Sequence, residues 1–130
     1  MRDLKASTGV AVILITHDLG VVAEICDHVA VMYAGEIVEY APVDALFAVP
    51  QHPYTIGLLG SIPRLDAKAE ELVAIEGMVP SMTELPTGCR FAPRCPFVRD
   101  RCKQDALPLV DVGRGHRSRC IRAPLEQVVA

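Results

Sequence analysis

The sequence predicts an α/β fold, and three observations predict it. An unbroken, largely β-branched apolar run occupies Val10 to Ile15, helical apolar spacing follows it directly, and two strand-like segments flank Ala34-Gly35. Such a run suits a strand buried on both faces of a parallel sheet. With 130 residues, 51% hydrophobic and 22% charged, the chain has the makings of one globular domain at most. The run is far shorter than the roughly 20 residues a membrane helix needs. The start Met1-Arg-Asp-Leu-Lys5 is no signal peptide. A cytosolic chain is expected.

The elements follow in order. Residues 10–16 form the expected strand. Leu19, Val22, Ala23 and Cys26 recur at helical spacing behind Asp18, which can cap that helix, with Cys26 on its core side. His28 to Tyr33 and Glu36 to Tyr40 read as a hairpin in which Gly35 supplies a positive φ. Ala34 suits a two-residue type I′ turn poorly, which leaves a slightly longer loop as the alternative to a tight turn. Pro42 opens a short helix carrying Val43, Leu46 and Phe47, and Pro50 stops it. Pro53 opens another, with Tyr54, Leu58, Leu59 and Ile62 as its apolar stripe, and Pro63 closes it. One central strand and one hairpin are too few to cover both faces of 10–16. The chain is therefore expected to begin inside a larger domain, and alone to be marginally stable or prone to aggregate.

Charge divides the chain into unlike halves. Residues 1–85 carry four basic against twelve acidic side chains, a net charge of −8, whereas 86–130 carry nine against four, a net charge of +5. The basic half holds four of the five cysteines, spaced Cys89-x5-Cys95-x6-Cys102-x17-Cys120, with Gly88, Pro93, Pro96 and Pro108 enforcing loops. Four thiols in one loop-rich stretch suit a metal or cluster site, a disulfide pair, or unrelated free cysteines. Cytosolic redox conditions argue against disulfides. Structural zinc favours a tighter Cys-x2–4-Cys knuckle, while an iron–sulfur cluster accepts more varied spacing. Arginines at 90, 94, 99, 101, 117, 119 and 122 would offset the negative charge of either.

The other chemical point is Thr16-His17-Asp18, at the carboxyl end of the expected strand, where ligands sit in open α/β sheets. A neutral imidazole there can meet a phosphate. The plainer alternative is a half-exposed loop histidine beside a capping aspartate. His28, His52 and His116 read as turn, strand-edge or loop residues.

These segments match a known family. Ile13-Leu-Ile-Thr-His-Asp-Leu19 and Val29-Ala-Val-Met-Tyr-Ala-Gly-Glu-Ile-Val-Glu39 resemble the last third of an ABC transporter ATPase domain, from the switch-histidine strand through the following hairpin. Pro50-Gln-His-Pro-Tyr-Thr-Ile-Gly-Leu-Leu59 and Gly88-Cys-Arg-Phe-Ala-Pro-Arg-Cys-Pro-Phe97 are similar to the C-terminal extension of the oligopeptide, dipeptide and nickel importers. The resemblance implies a remnant of a P-loop ABC ATPase domain at 1–49, followed by an importer extension at 50–130 with a four-cysteine segment at 88–120. It implies that His17 contacts the γ-phosphate of ATP and positions the attacking water. It further implies that Cys89, Cys95, Cys102 and Cys120 hold a 4Fe-4S cluster, with zinc or no metal as the alternatives; because a small loop-rich extension with few large apolar residues needs a staple, a structural role is expected for it.

No Gly-x-x-x-x-Gly-Lys-Ser/Thr loop occurs among the nine glycines, and no apolar strand ending in Asp-Glu precedes His17. The chain alone is therefore expected to be inactive, with ATP and Mg²⁺ used only by an intact subunit. The implied partners are a paired ATP-binding subunit, two transmembrane permease subunits and, indirectly, a solute-binding protein. The implied location is the cytoplasmic face of the inner membrane. Peptide is the expected cargo, with nickel or another small solute as alternatives. A competing reading is a stand-alone metal or cluster module contacting nucleic acid or a regulatory partner. It lacks stacking aromatics beyond Phe91 and Phe97, and nucleic acid is not expected.

Overall fold

A computed structural model describes residues 1–62 and 74–125. Helix α1 (Arg2–Thr8) leads through a segment without regular secondary structure to α2 (Leu19–Ile25). Strands β1 (His28–Tyr33) and β2 (Glu36–Pro42) form a hairpin, and α3 (Val43–Ala48) and α4 (Pro53–Gly60) follow. The cysteine segment contains two 3₁₀ turns, Ala92–Arg94 and Asp100–Lys103, before a second hairpin of β3 (Val110–Gly113) and β4 (His116–Ser118). The fold thus mixes helices with one four-stranded antiparallel sheet in the order β1-β2-β4-β3. Pro63, expected to close α4, lies outside the described residues.

Local sequence explains most of these elements. Asp18 caps α2 by accepting the Val21 N–H at 3.1 Å. Cys26 stands at the C-terminal end of that helix, half-buried and not in the core. The first hairpin turns through Ala34 and Gly35 at φ 47° and 77°, the tight two-residue turn and not the longer loop that was its alternative. Arg90 offsets the strain of a positive φ at alanine by donating to the Ala34 carbonyl.

The expected strand at 10–16 is a correction. It carries no strand pairing, and Ile13 and Ile15 are 92% and 95% exposed. A strand exists through its ladder partners, and among the described residues none lies beside this segment.

Sequence reading also missed the second hairpin and where it docks. β4 pairs on β2, with Glu39 opposite Ser118 and Tyr40 opposite Arg117. The core gathers on the inner face of this sheet around Val31, Tyr33, Val38, Ala41, Leu46 and Phe91. Phe91 is its hub, meeting Tyr33 edge-on at 5.2 Å and Tyr54 at 5.5 Å between ring centroids. An arginine from the cysteine segment also anchors the loop before it. Arg94 donates to the carbonyls of Ile75 and Glu76, both at 2.9 Å.

A cysteine-lined cavity and an exposed histidine turn

The cysteine site is assembled by three loops pinned to this core. Cys89 and Cys95 flank Phe91 and the first 3₁₀ turn, so burial of that ring places both sulfurs. Cys102 lies in the second 3₁₀ turn and is buried. Its carbonyl accepts the Cys89 N–H at 2.7 Å, closing the loop between them. Cys120 follows β4, where the Arg119 N–H donates to the Val38 carbonyl at 2.8 Å and the Arg119 side chain reaches the carbonyls of Ile37 and Leu107. All four cysteines line one cavity, walled by Phe91, Phe97, Leu107 and His52. His17 is not among its lining residues.

The close fit of this loop is visible at Gly88. Its φ is +79°, and a Cβ there would stand 2.4 Å from the Cys102 carbonyl oxygen and 3.0 Å from that of Asp105. Gly88→Ala should therefore destabilise the fold by roughly 2 kcal/mol or more, through strain and a backbone clash together. Chemical denaturation measures this, and a change below about 0.5 kcal/mol, the size of an ordinary surface substitution, would mean that the loop yields freely.

Electrostatics at the sulfurs run in two directions. Burial pushes the thiols of Cys89, Cys95 and Cys120 up, that of Cys95 to about 11. Backbone N–H groups act against this: those of Phe91 and Ala92 on Cys89, that of Phe97 on Cys95, and those of Arg122 and Ala123 on Cys120. The sulfurs also raise one another, which fits their gathering in one place. N–H groups aimed at sulfur favour thiolates once a cation replaces the protons.

Among the described residues, no group of three or more His, Cys, Asp or Glu side chains is arranged to hold a metal ion.

His52 and His116 are both buried, and His116 opens β4 where a loop was expected. His52 is buried beside Phe91, and its Nδ1 accepts the Tyr54 N–H at 3.1 Å as the N-cap of α4. Burial drops its pKa to about 4, which keeps it neutral. His116 is buried with its Nε2 2.6 Å from Glu39 Oε1. The sequence signal for the first was its place directly before Pro53 at a helix start. For the second there was none, because the pairing joins residues 77 apart. His28 is the first residue of β1, exposed and stacked on Tyr40.

His17 sits in the exposed turn before α2. The Asp18 N–H donates to Thr16 Oγ1 at 3.0 Å, so the backbone around His17 is fixed by its two neighbours. Its ring projects from a turn held on both sides. That arrangement can present an imidazole to a phosphate brought from elsewhere.

The arginines are largely committed to structure. Arg90, Arg94, Arg119 and Arg122 each donate to backbone carbonyls. Arg90 and Arg119 also lie near Glu36.

Comparison with known proteins places this geometry in context. Residues 38–102 match the family described as the oligopeptide/dipeptide transporter C-terminal region. Similar proteins include a putative peptide import ATP-binding protein of Brucella melitensis, 51% identical over 128 residues, covering 94% of this chain and 38% of the relative. The oligopeptide transport ATP-binding protein OppD of Mycobacterium tuberculosis is 54% identical over 126 residues, covering 96% of this chain and 21% of the relative. AppD of Bacillus subtilis, also an oligopeptide transport ATP-binding protein, is 51% identical over 120 residues, covering 92% and 37%. The chain thus spans less than two fifths of the length of these relatives.

Proposed function

The chain belongs to the oligopeptide/dipeptide transporter C-terminal region family, and from that premise we propose that it is the C-terminal part of the ATP-binding subunit of a binding-protein-dependent ABC importer. In the intact subunit, ATP hydrolysis with Mg²⁺ drives uptake of oligopeptides or dipeptides. The observation that carries this reading is the extent of the family match, which runs as one unit through most of β2, the His52-Pro53-Tyr54 helix start and three of the four cysteines. On this reading residues 1–49 are the end of a P-loop nucleotide-binding domain and 50–130 the importer extension. His17 is the switch histidine. Phosphoryl transfer gains mainly from positioning and from donors aimed at developing charge, which is what an imidazole on a fixed turn supplies. The partners are a second ATP-binding subunit and two permease subunits that hold the protein at the cytoplasmic face of the inner membrane. Among the described residues no helix is long and apolar enough to cross a membrane, which fits peripheral attachment.

Cys89, Cys95, Cys102 and Cys120 hold a 4Fe-4S cluster in this reading. When bound, it supplies four metal–sulfur bonds that staple the loop segments around Phe91 to β4, in a region with few large apolar residues to do so. The backbone N–H groups of Phe91, Phe97 and Arg122 orient the ligand sulfurs. The committed arginines favour this reading over a nucleic-acid module, since side chains donating to the protein's own carbonyls are not free for phosphates.

Metal analysis of the anaerobically purified full-length subunit tests the proposal. Iron and acid-labile sulfide should be present in equal amounts, and alanine at any one of the four cysteines should remove both. One zinc and no iron would replace the cluster with zinc. Mg²⁺-dependent ATP turnover by these 130 residues alone would overturn the importer-fragment reading.

A further inference from the structure

The turn that carries His17 is closed by a bond the following helix does not need. Thr16 Oγ1 accepts the Asp18 N–H at 3.0 Å, closing a small ring with His17 at its centre. Asp18 then caps α2 by accepting the Val21 N–H at 3.1 Å, with its own backbone extended at φ −86° and ψ 99°. A Cβ on Gly20 would stand 3.2 Å from the capping Oδ1, so glycine leaves that carboxylate its room. The two bonds differ in purpose. The Val21 N–H is one of the donors that a helix start leaves unpaired, and Asp18 satisfies it. The Asp18 N–H precedes the helix at an exposed position where water would serve as an acceptor, so pairing it with Thr16 adds little to stability. What that bond fixes is the backbone on either side of the His17 Cα, and with it the direction in which the imidazole leaves the turn.

We infer that Thr16 is a positioning residue for phosphoryl transfer, its hydroxyl holding the His17 backbone so that the imidazole is already aimed when the γ-phosphate arrives. The inference rests on the switch-histidine reading of His17 above. A preorganised donor gains its advantage by needing no reorganisation at the moment of reaction, and a turn that sampled several conformations would forfeit part of it.

The test measures ATP turnover by the full-length subunit. Thr16→Val keeps the β-branched shape and removes the acceptor. Its kcat should fall about tenfold with KM for ATP unchanged, short of the roughly 10²-fold that a 1 Å misplacement can cost. Thr16→Ser returns the oxygen and should return the turnover. In the His17→Ala background Thr16→Val should have no further effect, because no ring is left to aim. Wild-type turnover in Thr16→Val, a loss that Thr16→Ser shares, or an undiminished loss in the His17→Ala background would each overturn the inference. A lowered unfolding midpoint in Thr16→Val would overturn it too, by making the bond one the fold depends on. Wild-type turnover in His17→Ala alone would instead remove the switch-histidine reading, and this inference with it.

Discussion

Replacing His17 by alanine in the intact subunit is expected to lower ATP turnover by about 10²–10³-fold, the loss typical when one preorganised donor to a developing charge is removed. ATP binding should persist, because binding energy in such sites comes mainly from the phosphate-cradling loop and the metal ion. The structure makes the experiment unusually clean. His17 is exposed, while the turn that carries it is held by Thr16 and Asp18 and by burial of Val22 beneath α2. Alanine therefore removes the imidazole without removing a contact the fold depends on, and the unfolding midpoint should stay within about 0.5 kcal/mol of wild type. Turnover and stability are thus expected to separate. Unchanged turnover would return His17 to an ordinary loop residue, and a lost fold would mean that the turn relies on the ring after all.

How much was legible in the sequence follows from the range of the interactions involved. α2, the first hairpin, α3 and α4 were readable because their determinants are local: Asp18, Gly35, Pro42 and Pro53 each act within a few residues. The segment 10–16 reads as a buried strand because composition reports what a segment could bury, not whether a partner lies beside it. The four cysteines were legible as a set, but not their common cavity, which depends on β4 crossing back to β2. Glu39 was illegible for a related reason. Alternation places it on the face opposite Val38, yet β2 carries an extra residue where Val31 pairs with Glu39 and Met32 with Ile37, so both Val38 and Glu39 turn inward.

That buried Glu39 is where the first hairpin and the cysteine segment are joined, and its loss should be the most damaging single change to the fold. Its side chain is 0% exposed. Oε1 accepts the Gln51 N–H at 2.6 Å and lies 2.6 Å from His116 Nε2, so one oxygen ties β2 to the α4 approach and to β4. Around it, Ser118 donates to the Gln51 carbonyl at 2.6 Å and Gln51 Oε1 accepts the Leu125 N–H at 2.8 Å. Glu39→Ala strands the Gln51 N–H and the His116 ring in a dry interior, an expected cost of about 3–5 kcal/mol. His116→Ala should also destabilise, by leaving the carboxylate without that partner. The double variant should cost less than the two single losses combined, because each substitution removes the group that the other would leave unpaired, and a coupling of about 1–3 kcal/mol is expected. Chemical denaturation of the four proteins in the cycle measures it. Additivity within about 0.5 kcal/mol would show that the two side chains act independently. The same cycle bears on the cysteines, since Cys120 follows β4 by two residues and is placed by the pairing that Glu39 and His116 hold together. If the four cysteines hold a cluster as proposed, loss of Glu39 should weaken retention of iron and sulfide without touching any ligand, whereas a substitution at exposed Arg117 on the same strand should not.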